Sequence, residues 1–397
     1  MAITRRSFVG ANAAAAAAMA ASSTPVKIGI VGGRFGASFQ WHLHPQCEVA
    51  AVCDIRAERV QTLQEVYRSD AGYDDFRKML AHPGLEAVGV FTPAPLHAWM
   101  AIEAMEAGKH VISAVPAALT LEDLERLIET VKRTGMRYMM AETTYYRPQI
   151  ITCRQWADEG LFGDIFYSES EYHHNISRLM WDERGLPTWR HGLPPMWYIT
   201  HQTSAIIPVS GERLSEVQAI GWGDGHQVLQ TNRYTNPFWN TTAFFKTERG
   251  HSSRISVFWH APAGFAQRAQ FFGEKRSYVM GRQPESHPDT VMRFENDGPS
   301  ARDGIGLPEA KVVVEPADDP QQKHWGLLPE SMRVPTGHVG SHAHITHQFI
   351  QAIAQDRHPE VDVWEAAAYT APGLVAHQSA LKGGETMKIP DFGRRDI

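Results

Sequence analysis

The sequence predicts a two-part α/β protein: a doubly wound parallel sheet over residues 22–145, then an α+β part over 146–397 with an open, predominantly antiparallel sheet. Three observations predict it. A strand, a glycine-bearing turn and a second strand ending in an acid occupy Lys27 to Asp54. Short apolar runs then alternate with helix-length segments as far as Ala141, the pattern of parallel strands joined by helical crossovers. From about Tyr146 the pattern changes to alternating strands joined by tight hairpins.

The first unit sets the chemistry. Lys27 to Val31 reads as a buried strand, Gly32, Gly33, Arg34, Phe35, Gly36 and Ala37 as a turn into a helix, and Val49 to Cys53 as the next strand. A Rossmann turn of this kind needs a Gly for the tight bend, a second Gly where backbone meets pyrophosphate, and a small residue where helix packs on strand. Gly32 and Ala37 meet the first and third needs, and Arg34 stands at the second, where its side chain must fold outward or pair with a phosphate oxygen. Asp54 follows Gly32 by 22 residues, close to the spacing of about 20 at which a carboxylate reaches a ribose 2′-hydroxyl and repels a 2′-phosphate. The expected cofactor is NAD rather than NADP.

Later elements follow in order. A helix over Ala57 to Tyr67 leads to a short helix after Phe76 and a buried strand over Glu86 to Phe91. Thr92, Pro93, Ala94, Pro95, Leu96 and His97 close that strand and open a helix running to Gly108. Lys109 to Ser113 is a strand, followed by Ala114, Val115 and Pro116. Thr120 with Asp123 forms a capping box for a helix ending near Thr134 and Gly135, and Arg137 to Ala141 is one more strand. Ligands in such sheets gather beyond the carboxyl ends of the strands. That edge holds the Gly32 turn, Asp54, Thr92 to His97, Ala114 to Pro116 and Glu142. Beyond it come a helix over Pro148 to Gly160, then strands over Ile165 to Tyr172, Arg213 to Gly221, Thr241 to Thr247 and His251 to His260. Hairpins are expected at Arg249-Gly250 and Glu274-Lys275, long loops with one strand (Lys311 to Glu315) between Gly281 and Gly337, and closing helices over His344 to Gln355 and Val363 to Leu381.

Composition narrows the partners. A net charge of −6, without blocks of like charge, argues against nucleic acid. Cys47, Cys53 and Cys153 suit neither a disulfide framework nor zinc; buried free thiols are expected, with a Cys47–Cys53 bridge as the alternative. His342, His344 and His347 do not share one helical face, so no metal is expected there. At the N-terminus Arg5 and Arg6, Phe8, an alanine run and the small-x-small triplet Ala18-Met19-Ala20 look like a twin-arginine export signal over residues 1–21. The expectation is a periplasmic protein, free of the membrane after export, that holds its cofactor tightly because free nucleotide is scarce outside the cytoplasm.

Together the Gly32 turn, Thr92-Pro-Ala-Pro-Leu-His97, Ala107-Gly-Lys-His-Val-Ile-Ser-Ala-Val-Pro116 and the open second sheet resemble the Gfo/Idh/MocA oxidoreductase family over nearly the whole mature length. The resemblance implies a sugar or glycoside substrate, NAD, and homo-oligomers that pair sheet faces. In that family Glu and Lys usually precede the proline corresponding to Pro116, the lysine assisting proton transfer; Ala114 and Val115 stand here. Tyr198-Ile-Thr-His201 and Tyr172-His-His174 look like segments of the family's NAD-dependent glycosidases, implying His201, Tyr198 and Tyr172 as catalytic groups. His174, Trp189, Arg190 and His342 are candidate substrate contacts. Three functions stay open: hydride transfer on a carbohydrate or glycoside with retained cofactor, redox-neutral glycoside hydrolysis, and non-catalytic sugar binding on the same scaffold.

Overall fold

The structure, a computed structural model, describes residues 24–261, 266–281, 289–293, 311–314 and 323–395. The export segment and most of the stretch between Gly281 and Lys323 lie outside the described residues.

Strands β1 (Val26–Val31), β2 (Cys47–Cys53), β3 (Gly72–Tyr73), β4 (Ala87–Val90), β5 (His110–Ser113) and β6 (Tyr138–Met140) form one parallel sheet in the order β3-β2-β1-β4-β5-β6. This is the Rossmann order, with the change of winding direction between β1 and β4. Helices α1 (Ala57–Tyr67), α2 (Phe76–Leu80), α3 (His97–Glu106) and α4 (Leu121–Thr134) connect the later strands. Their ends follow the local chemistry. The Asp75 carboxylate accepts from the Lys78 amide at the start of α2, and the Thr120 hydroxyl accepts from the Asp123 amide at the start of α4.

One expected helix is not formed. Between β1 and β2 the chain makes only two single 3₁₀ turns, Gly36–Ser38 and Trp41–Leu43. The connection is short, ends in His44-Pro45, and spends its apolar residues on a plug rather than a helical stripe. Phe39 and Trp41 are fully buried. Phe39 stacks on Phe91 at 4.5 Å, and Trp41 meets Phe349 edge-on at 6.2 Å.

The second part begins with α5 (Pro148–Asp158), β7 (Ile165–His173), α6 (Thr200–Ser210), β8 (Leu214–Trp222), β9 (Asn240–Thr247), β10 (Ser252–Phe258), β11 (Ala266–Gly273) and β12 (Arg276–Val279). It continues with β13 (Thr290–Arg293), β14 (Lys311–Val314), α7 (Ser341–Ala354), α8 (Val363–Leu381) and β15 (Met387–Lys388). Its sheet has the order β14-β13-β12-β11-β7-β10-β9-β8-β15, antiparallel throughout except where β7 pairs with β10 in parallel. The sequence reading lacked that parallel pair, β13, β15 and α6. Helix α8 packs on β8 and the Pro195–Tyr198 turn, where Gly373 permits the approach: a Cβ there would lie 2.0 Å from the Met196 carbonyl oxygen. The sheet leaves Phe166, Ile220 and Phe244 more than half exposed.

Helix α7 reaches back to the first sheet. The Gln351 amide donates to Gln46 Oε1 at 2.6 Å, His347 Nδ1 lies 3.0 Å from His44 Nε2, and His342 bonds to Ser38 O. The late chain therefore covers the first crossover. Cys47, Cys53 and Cys153 are free, so the bridged alternative does not hold.

Candidate active site

At the carboxyl end of β6 sits Glu142, completely buried. Its Oε1 accepts from His201 Nδ1 at 2.7 Å and from the Thr144 amide at 2.9 Å. Burial by itself would raise the Glu142 carboxyl, but the charge and hydrogen bond of His201, with the Thr144 amide and Thr200 hydroxyl, hold it below the usual range. His201 projects from the first turn of α6. With Nδ1–H committed to the carboxylate, Nε2 is the nitrogen left for proton exchange. Sequence reasoning put Glu142 on the right edge without giving it a role. The missing signal was His201, which is 59 residues away.

Two tyrosines complete this group. The Tyr172 ring, at the end of β7, lies 4.9 Å from the His201 ring, and Tyr198 lies 5.3 Å from it. Trp259 is packed beneath both, and its indole N–H donates to Leu193 O at 2.9 Å. The Tyr172 hydroxyl is 3.0 Å from His174 Nδ1. Burial raises the Tyr172 phenol and lowers His174, so Tyr172 is a neutral donor here. Arg147, also missed from sequence, is pushed down to about 10 by burial and lies within reach of the fields of Tyr172 and Glu142. Arg190 stacks over Trp189 at 4.0 Å and is close enough to bias Tyr172 and His174. Trp189 is engaged besides, its carbonyl accepting from the Tyr234 hydroxyl. A separate cavity of about 500 Å³ is lined by Trp181, His191, residues 226–228, Gln230 and Thr231.

The nucleotide turn is built as follows. Gly32 has φ +103°, and a Cβ there would stand 2.4 Å from the Phe91 carbonyl oxygen, so only Gly lets β1 and β4 end so close together. The Gly33 amide donates to Asp54 Oδ2 at 2.7 Å and the Arg56 amide to Oδ1 at 3.0 Å, fixing the carboxylate beside the turn. Arg34 is exposed and folds outward. The Arg34 and Phe35 amides find no acceptor among the described residues. Bare amides beside an anchored carboxylate fit a dinucleotide, with Gly32 to Ala37 facing the diphosphate and Asp54 the adenine-side ribose.

Other expected contacts are structural. His97 is buried, with Nδ1 2.8 Å from Pro116 O and Nε2 2.8 Å from Thr92 O. Burial keeps the ring neutral, so its single N–H donates to one of these two carbonyls. The ring fills the space between the Thr92-Pro93 turn and Pro116, and both nitrogens face backbone. His342 likewise has both nitrogens engaged, by Ser38 O and His338, which places it under the glycine turn instead of at a sugar. His344 stacks on Tyr146 and His347 on His44, so the three closing-helix histidines point to separate partners. Ala114 and Val115 are buried and apolar.

Residues 26–142 match the oxidoreductase family with the NAD-binding Rossmann fold, and residues 318–396 match the C-terminal domain of glycosyl hydrolase 109. Over residues 26–142 the chain carries the NAD-binding domain of the Gfo/Idh/MocA oxidoreductase family. With that domain it is an NAD-dependent enzyme, and NAD is its cofactor. It is 25% identical to a glycosyl hydrolase family 109 protein of Porphyromonas gingivalis over 400 residues, covering 93% of this chain and 85% of that one. It is also 25% identical to an alpha-N-acetylgalactosaminidase of Bacteroides fragilis, covering 87% of this chain and 86% of the relative. Among solved structures, levoglucosan dehydrogenase in complex with NADH and L-sorbose superposes with a TM-score of 0.72 at 19% identity, covering 93% of this chain and 100% of that one. At that identity the likeness concerns the fold alone.

Proposed function

We propose that this protein is a redox-neutral NAD-dependent glycosidase that cleaves a glycoside with a cofactor it does not release. The observation that carries the reading is the buried Glu142–His201 pair with Tyr172 and Tyr198 against it, on a chain whose Pro116 is preceded by Ala114 and Val115. NAD supplies acceptance and return of a hydride at a sugar carbon. The protein's own work is moving protons. His201 Nε2, its opposite nitrogen held by Glu142, takes a proton from the sugar and returns one. Tyr172, a neutral phenol, and Tyr198 are placed to protonate the departing glycosidic oxygen and to deprotonate the water that replaces the aglycone. Arg147 balances the charge, and Arg190 on Trp189 offers a cationic and aromatic clamp to the pyranose.

The glycosidase names of the relatives support α-N-acetylgalactosaminides as the first substrates to try. The test is incubation of the purified protein with nitrophenyl glycosides and no added cofactor. Nitrophenol release without net NADH is the expected result. NADH accumulating with a free sugar selects net dehydrogenation, and inertness towards both substrate types sinks both readings. Export by the twin-arginine route and homo-oligomers formed through the Phe166, Ile220 and Phe244 face belong to the same proposal. No helix among the described residues is long and apolar enough to cross a membrane.

A further inference from the structure

A histidine chain links the C-terminal segment to the nucleotide turn, and its proton positions can be deduced. His342 Nδ1 lies 2.9 Å from Ser38 O, a carbonyl that only accepts, so Nδ1 carries the proton. Burial lowers His342, so the ring is neutral and Nε2 is bare. His338 Nδ1, 2.8 Å from that Nε2, must then be its donor. His338 is pushed down to about 3, by burial first and then by His342, and with its one proton on Nδ1 its own Nε2 is a bare acceptor.

The position of that acceptor is informative. The His338 ring is 5.9 Å from Phe35 in the turn, and it feels the charges of His201, Arg147 and Glu142. It therefore stands between the diphosphate cradle and the acid–base group, the interval that the nicotinamide half of a dinucleotide must cross. His338, Val339 and Gly340 all have left-handed backbones, with φ 53°, 59° and 87°. For the two non-glycine residues that conformation is strained, and it is sustained by the packing of the ring chain on Phe35 and Phe39.

We propose that His338 Nε2 accepts a hydrogen bond from a hydroxyl of the nicotinamide-side ribose, and that His338, His342 and Ser38 together latch the C-terminal segment over the turn and retain the nucleotide between turnovers. The proposal rests on the retained-cofactor reading above. A sugar hydroxyl is the other possible source of the same chemistry, and the two are separable.

The holoenzyme and its His338→Ala and His342→Phe variants are loaded with isotopically labelled NAD and chased with unlabelled NAD in the absence of substrate. Phe keeps the stack on Phe39, at 4.5 Å in the native protein, but neither donates nor accepts. The expected result is release roughly tenfold faster for His338→Ala, the size of one lost hydrogen bond, and faster for His342→Phe, with thermal unfolding shifted by no more than a few degrees and KM for the glycoside unchanged at saturating NAD. Native release with a raised KM assigns the hydroxyl to the sugar and overturns the proposal. Native values of both reduce the latch to packing and overturn it as well. Because release is read without turnover, either failure leaves the glycosidase reading standing.

Discussion

The two halves of the parallel sheet solve the same problem in different ways. From β4 to β6 each crossover carries its own helix, and the functional residue at the end, Glu142, is reached by regular alternation. From β1 to β2 there is no helix, and the cover is an aromatic plug completed by Phe349 and His342 from more than 300 residues away in sequence. The first kind of half is stabilised locally, by caps and amphipathic faces. The second is stabilised by tertiary packing, so the diphosphate cradle inherits its shape from the C-terminal segment. Damage to the β1 side should therefore cost fold and nucleotide together, and damage to the β6 side should cost chemistry alone.

The largest effect is expected for Trp41→Ala. Removing a fully buried indole from the plug should cost roughly 3–5 kcal/mol, read by urea unfolding, and should empty the protein of nucleotide. Full NAD occupancy in that variant would break the comparison. Glu142→Gln should lower kcat about 100-fold or more while bound NAD stays at wild-type content, because the amide no longer balances charge on His201. A fall in NAD content equal to the fall in kcat would place Glu142 on the nucleotide side.

The next effect is one of pH. On the plug side His44 is pushed down to about 3 and His347 to about 4, and His344, on the same helix but against Tyr146, to about 3, with burial as the main cause in each. The unfolded chain binds protons at these positions from about pH 6.5 downward while the folded protein does not, so stability falls as pH drops from 6.5 towards 4. Asp362 on α8, raised to about 6 by burial, runs the other way, its contribution declining as pH rises towards 6, but it is a single group against three. Unfolding free energies at pH 7, 6 and 5 should decrease in that order, and His347→Gln should flatten the slope. The smallest effect belongs to Thr120→Ala, which removes the α4 cap in the helical half. It should cost about 1 kcal/mol and leave nucleotide release at the wild-type rate.

The same division explains what could be read in advance. Helices α1 and α8 have the bounds expected from sequence, and α4 is bracketed by Thr120 and Gly135, because propensity, caps and apolar spacing act within a few residues. The absent first helix was hidden because Gly32 to Ala37 announces one, whereas the outcome depended on where Phe39 and Trp41 could be buried. Helix α6 escaped for the opposite reason. Thr200, His201, Gln202, Thr203 and Ser204 are all buried, so the polar and apolar faces that mark a surface helix do not exist there. At the active site, Tyr172, Tyr198 and His201 were legible through a motif resemblance and do converge. Glu142, Arg147 and His338 owe their placement to contacts that no local pattern encodes.

The return of α7 to the first crossover also sets an order of events during synthesis. The sheet strands β1 to β6 have all been synthesised by residue 140, yet Trp41 and Ser38 lack their partners until His342 and Phe349 are made some 200 residues later. A nascent chain stalled before His338 would display the Gly32 turn without its latch and bind nucleotide only in passing. Stable capture of the cofactor thus becomes a mark that translation of the C-terminal part is nearly finished.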